Sequence, residues 1–332
     1  MGATYIDPVF LMHYPHDPPV CDYRSVVNAA GTAVIFERWK DPQPGNQNPR
    51  YVLYQVNLMN DATQAPFLNG TPALNISTRP DWSWATRQVA FCNGKGIWTV
   101  GDDGSNPALL KNTAGMIYPA WFPSAQRLAV MNNAASASPS PNTTTIDRKG
   151  KTITPAVAGS GLWAGMPSVN PIHPNLIVFA GQNVQSGGTY NQDQNYIWLV
   201  DTSLNPLQPV PLELGAPTSG NFQSQWQGRA PWWSPDGIWV VFESYRARPP
   251  STERPEGRYA IYLYDYKVQP HAGTQVTDPK WNMNHAKWFP NGFPRGPSGG
   301  KTLVVASYQP GSAGPPAWPY GIASLNVSSI VG

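Results

Sequence analysis

One motif recurs along this chain and constrains its fold more than any other feature. The clearest copy reads Ala230-Pro231-Trp232-Trp233-Ser234-Pro235-Asp236-Gly237, continues as the apolar run Ile238 to Phe242, and resumes after a long loop as Tyr259 to Tyr266 and Gly273 to Thr277. Short strand, tight turn, apolar strand, long loop, alternating strand and edge strand together make a four-stranded antiparallel meander. Related copies follow the same template. Pro80-Asp81-Trp82-Ser83 leads to Val89-Ala90-Phe91 and Gly96 to Val100, and Pro119-Ala120-Trp121-Phe122-Pro123 leads to Leu128-Ala129-Val130 and Thr143 to Asp147. Pro167-Ser168-Val169-Asn170-Pro171 leads to Leu176 to Phe179 and Tyr196 to Asp201, and His285 to Gly292 leads to Leu303 to Ser307 and Tyr320 to Val327. A shorter copy starts at Ser25-Val26-Val27-Asn28, with Ala33 to Phe36 and Tyr51 to Asn57 behind it, which makes six.

A repeat of roughly 40 to 50 residues is the signature of stacked supersecondary units. A Trp or Val at the end of each first strand fills the wedge between neighbouring sheets, and the Pro/Ser/Asn/Asp/Gly group supplies the turn that sends the next strand back. No single meander can bury both of its faces, so the copies stack around an axis. The expectation is an all-β protein, a six-bladed β-propeller of four-stranded antiparallel blades in a single domain over residues 1–332. The blades are expected at approximately 23–77, 78–115, 116–163, 164–225, 226–280 and 281–330. The last copy lacks an outer strand, and Val9-Phe10-Leu11-Met12 has no other role. The segment 9–13 is therefore expected to supply that strand and close the ring.

Composition agrees and excludes other classes. With 37 Pro and 30 Gly among 332 residues, about one position in five disfavours a helix interior. Only 12% of residues are charged, against about a quarter in an ordinary globular protein, so disorder driven by charge is not expected. The formal charge of +3 is small and the basic residues are scattered. No stripe of Lys/Arg tracks a phosphate backbone, and nucleic acid is not an expected partner. No apolar run approaches the length of a membrane-spanning helix, so a soluble chain without membrane insertion is expected. Few lysines, many Asn, Gln, Pro and Thr, and only two cysteines lean toward an exported protein, periplasmic or extracellular. Sequons at Asn69, Asn75, Asn142 and Asn326 arise by chance in such a composition and decide nothing.

Trp233-Ser234-Pro235-Asp236-Gly237 followed by Trp239-Val240-Val241-Phe242 resembles the WD40-like (PD40) repeat of TolB-type six-bladed propellers. The resemblance is strongest in blade five, extends to blades two, three and six, and fades in blades one and four. It carries fold rather than chemistry, because this scaffold hosts unrelated activities.

The loops between second and third strands and the crossings between blades share one face. They comprise residues 13–24, 37–50, 92–96, 131–142, 181–195, 244–258 and 308–318. Function is expected on that face, around the axial funnel. Three places before each wedge residue stand Arg24, Arg79, Tyr118, Met166, Ala230 and His285, with Asp81, Arg229 and Asn284 beside them. Arginines at an axial opening suit a carboxylate, sulfate or phosphate, because the guanidinium fork matches such oxyanions. The competing reading is that they pair with neighbouring acids and carbonyls. Trp39, Trp163, Trp226, Trp318, Tyr190, Tyr245 and Tyr308 are expected in loops or crossings. Of these, Trp39, Tyr190, Tyr245 and Trp318 are the candidate ligand-binding aromatics, because flat rings beside amides suit sugar faces and protein partners alike.

No G-x-S-x-G, H-E-x-x-H or phosphate-binding loop occurs. The leading reading is a non-catalytic recognition module that binds a glycan, peptide or protein partner on the long-loop face and needs no cofactor. The alternatives are a funnel-sited lyase or hydrolase acting on an anionic saccharide, and a cell-envelope assembly scaffold, as TolB itself is. For the enzyme, His13, His16 and His285 are the candidate ligands of a divalent metal. Oligogalacturonate lyases of similar fold use a His-bound metal, a likeness that carries over to His285 with His13 and His16 as helpers. Cys21 and Cys92 stand in adjacent blades on one face, and the sequence leaves open whether they pair or stay reduced.

Overall fold

The computed structural model describes residues 5–12, 21–40, 50–59, 63–68, 74, 77–134, 136–137, 139–184, 188–246, 259–268, 272–290, 301–308 and 320–331. These residues form six sheets of four antiparallel strands each. The innermost strands are Cys21–Val27, Thr78–Ser83, Met116–Trp121, Leu162–Val169, Arg229–Trp233 and Asn284–Trp288. They contact one another in ring order, the sixth against the first. In the sixth sheet the outer position is taken by Val9–Phe10, with Val9 opposite Ser324 and Phe10 opposite Ala323. Among the described residues the one α-helical element is the turn Ser328–Val331, and no helix is long and apolar enough to cross a membrane.

The apolar second strands explain the ring. In a strand alternate side chains point to opposite faces. In Trp239–Ser244, Val240 and Phe242 join a buried cluster with blade four, while Val241 joins another with blade six. Likewise Ile35 faces blade two, and Val34 and Phe36 face blade six. Six such clusters fill the six interblade spaces. Both faces of each sheet are thus buried, which is why these strands read as unbroken apolar runs. The wedge residues Trp233 and Trp288 are each 2% exposed.

The turn chemistry read from the sequence is present at the best repeat. Ser234 Oγ accepts from Trp239 N at 2.8 Å, and Asp236 Oδ1 accepts from Ile238 N at 3.0 Å. Gly237 sits at φ +69°, and an added Cβ would lie 2.6 Å from Asn170 Oδ1 of the preceding blade. Glycine is needed there for conformation and for close approach.

Several expected loop aromatics lie in strands instead. Trp39 stands within Ala33–Lys40 opposite Cys21 and Tyr51, Trp163 is buried within Leu162–Val169, and Tyr308 ends Thr302–Tyr308. Cross-strand pairing carries these strands past the apolar core that marks them in sequence. Trp226 lies in the short turn Ser224–Trp226. Cys21 and Cys92 are not joined in a disulfide.

Candidate functional site at the propeller axis

Each inner strand breaks register once. The pairing shifts after Tyr23, Thr78, Ile117, Gly165, Arg229 and Asn284, and at each shift one residue takes a positive φ. Those residues are Arg24 (40°), Arg79 (55°), Tyr118 (51°), Met166 (52°), Ala230 (48°) and His285 (50°), the six that spacing places at the funnel. A bulge re-aims one side chain out of the strand's alternation. All six line one axial cavity of about 40 Å³. That is room for a few waters or one small oxyanion, since a water needs roughly 10–15 Å³ on the same measure.

The electrostatics of this chamber are built on two acids that the motif search passes over. Glu37 and Glu243 are buried at equivalent places in the second strands of blades one and five. Glu37 accepts from Arg24 Nη1 at 2.8 Å and from the backbone N–H of Arg79. Glu243 accepts from Arg229 Nε and from the backbone N–H of His285. Each acid thus ties its own blade's arginine to the bulge of the next blade. The signal was present in Val34-Ile35-Phe36-Glu37 and Val240-Val241-Phe242-Glu243, where an apolar strand ends on an acid.

The three arginines are therefore not alike. Arg24 pairs with Glu37, which holds its guanidinium charged against the cost of burial. Arg229 pairs with Glu243 and with Asp193 at 2.9 Å, lies 4.3 Å from the Tyr259 ring centroid, and does not line the chamber. Arg79 has no carboxylate partner among the described residues. Its Nη1 donates to Thr78 Oγ1 at 3.0 Å, its guanidinium stacks 4.5 Å from the Tyr118 ring centroid, and its Nε is buried without a hydrogen-bond partner. Burial pushes the Tyr118 hydroxyl up, but Arg24 and Arg79 outweigh it and hold that hydroxyl below its usual range.

His285 is buried, and burial followed by the fields of Arg24, Arg229, Arg79 and Lys287 keeps its imidazole well below the usual histidine range. Its Nδ1 lies 3.9 Å from Glu243, and its ring meets Tyr23 edge-on at 4.7 Å. His13 and His16, the other expected metal ligands, lie outside the described residues. Among the described residues no group of three or more His, Cys, Asp or Glu side chains is placed to hold a metal ion. Four cations surrounding His285 oppose a further divalent charge, so its setting does not fit a metal ligand.

Lys287, also missed by sequence reasoning, divides the axial channel. From blade six it reaches across blade one to blade two, donating to Pro80 O at 3.0 Å and lying 3.4 Å from Asp81 Oδ1. Its ammonium sits 3.8 Å from the Trp232 ring centroid. Asp81 is thereby occupied, since its Oδ2 accepts from Trp121 N at 2.7 Å. Asp81 lines the chamber below this bar, toward the tight turns, and does not line the upper one. Tyr190 and Tyr245 line neither axial chamber. The Tyr190 hydroxyl accepts from Asn195 at 3.0 Å and burial pushes it up to about 12, and Tyr245 donates to Asp193 O at 2.8 Å. Half-buried Trp39 lines neither axial chamber, and Trp318 lies outside the described residues.

No protein-family model matches the sequence, and no curated protein matches it. Its fold has clear neighbours. A TolB-type protein from Agrobacterium tumefaciens aligns with a TM-score of 0.57 at 16% identity, over 79% of this chain and 82% of that one. The fold is TolB-like. An oligogalacturonate lyase from Vibrio parahaemolyticus aligns over 97% of this chain and 94% of its own, with a TM-score of 0.53 at 12% identity. A chain of a nidogen/laminin complex aligns over 81% of this chain and 84% of its own, with a TM-score of 0.52 at 10% identity. At such identities the likeness speaks for the TolB-like propeller and not for its ligand.

Proposed function

We propose that this TolB-like propeller is a non-catalytic recognition module whose long-loop mouth receives a carboxylate carried by a protein or peptide partner. The observation that carries the reading is Arg79. It is a cation at the axis whose side chain has no acid partner, in a chamber of about 40 Å³ where Arg24 and Lys287 are already paired and His285 is neutral. One uncompensated positive charge in a small site calls for one negative charge, and the guanidinium fork suits a planar carboxylate. The nidogen/laminin neighbour lends support at the level of architecture, as a propeller found in complex with a protein. An exported setting accords with the composition. A uronate of a glycan would present the same group, and titration separates the two sources.

The test is calorimetric titration with short acidic peptides and, separately, with oligogalacturonate, on the parent chain and on Arg79→Gln. A charge-assisted hydrogen bond of about 1.5–3 kcal/mol corresponds to roughly a ten- to hundredfold loss of affinity in the variant. Added salt should weaken the parent and leave the residual binding of the variant less affected. Equal affinity in parent and variant would remove Arg79 from the site. Preference for oligogalacturonate over every peptide would move the partner to glycans.

A further inference from the structure

We infer that the tight-turn mouth of the axial channel holds a second ligand site, selective for a neutral hydroxylated ring the size of a single pyranose. It does not depend on the carboxylate reading, because the bar formed by Lys287, Asp81 and Trp232 separates the two chambers. This lower chamber measures about 330 Å³ against about 40 Å³ above. That volume is at the small end of the range of ligand pockets, roughly 300–1,000 Å³, which suits one ring rather than an extended chain.

The lining defines the chemistry. Trp84 and Trp232 are half-buried at the chamber wall, and Trp84 is pinned across the blade boundary by donating from Nε1 to Val27 O at 3.1 Å. Behind them stand the wedge residues Trp121, Trp233 and Trp288, at 8%, 2% and 2% exposure. The indole N–H of each of these three has no acceptor among the described residues. Each of these N–H groups has almost no accessible surface, so the wedge tryptophans give the chamber apolar wall rather than donors. The charged groups of the lining, Asp81 and Lys287, pair with each other and leave the chamber with no net formal charge. A carboxylate or sulfate would find no uncompensated cation there and would lose its hydration. A neutral sugar ring meets these requirements: an apolar face for the indoles, hydroxyls for the Asp81–Lys287 pair, and no charge.

The experiment uses the full chain, titrated with glucose, galactose, mannose and N-acetylglucosamine, and with glucuronate, galacturonate and inorganic sulfate as charged counterparts. Tryptophan fluorescence and saturation-transfer NMR report binding. At least one neutral sugar should give a saturable response, at least tenfold tighter than its uronate. Trp84→Ala should weaken it at least tenfold. Ala85→Arg, which places bulk at an exposed lining position without touching the core, should do the same while circular dichroism stays unchanged. Arg79→Gln, in the other chamber, should leave it intact. Absence of a saturable response to all four sugars overturns the inference. So does a response that survives both Trp84→Ala and Ala85→Arg, or one that Arg79→Gln abolishes.

Discussion

Burial of His285 among Arg24, Arg229, Arg79 and Lys287 keeps its imidazole neutral well below its usual pKa of 6.5. The other groups facing it do not reverse this, because the Glu243 carboxylate is shared with Arg229 and with the His285 backbone N–H, and Tyr23 offers a ring edge. Between the folded and unfolded pKa values the unfolded chain binds the extra proton, so stability rises with pH and falls on acidification below about 6.5. The penalty grows on acidification by up to roughly 1.4 kcal/mol per pH unit. Denaturant unfolding from pH 7 to 5 should show this slope in the parent and a shallower one in His285→Gln. Parallel profiles would mean that His285 is protonated or solvated in the folded state. At this scale the sequence was partly legible. Arg24, Arg79, Tyr118 and His285 were placed at the funnel by counting back from the wedge residues. Which arginine lacks an acid depended on Glu37 and Glu243, which meet Arg24 and Arg229 across the paired first and second strands of their own blades.

The bulge is the device by which an inner strand serves two ends. Outside it the strand alternates between neighbouring blades, and at the bulge one side chain turns to the axis. The cost is a left-handed residue in every blade, about 1–2 kcal/mol for a residue with a Cβ. Under the proposed function, a polar side chain turned into the axial chamber, as at Arg79, accounts for that cost. Ala230 contributes only a methyl group, at φ 48°. Ala230→Gly should therefore raise unfolding stability by about 0.5–1 kcal/mol, the relief of backbone strain being partly offset by the greater freedom of glycine in the unfolded chain. Thermal and urea unfolding check it, and a loss of stability would show that the methyl group packs favourably enough to outweigh the strain. The error over Trp39 and Trp163 belongs to this scale too. Strand ends in a propeller are set by pairing with neighbours, and an aromatic at such an end looks the same in sequence as one in a loop.

In the whole molecule the first and last described strands meet in one sheet. Val9 and Phe10 pair with Ser324 and Ala323, Leu11 N donates to Ile322 O at 3.0 Å, and Met12 is 5% exposed in the cluster between blades six and one. Removing residues 1–12 should leave Tyr320–Asn326 as a bare edge and open that cluster. The expected result is a loss on the order of 2–4 kcal/mol and concentration-dependent association through the free edge, read by thermal unfolding and by light scattering. An unchanged, monomeric truncation would show that the ring holds without the strand. What the sequence determined alone was the local program: six repeats, their turns, the wedge positions, and an alternation that demands burial on both faces. These are legible because turn geometry and strand periodicity act over a few residues. Only the tertiary structure decided which charges cancel and which do not. Asp81 and Lys287 stand 206 residues apart, and the Arg79 side chain is defined by the acids that do not pair with it. Such pairings depend on distance across an axis, and the order of residues along a chain carries no measure of that distance.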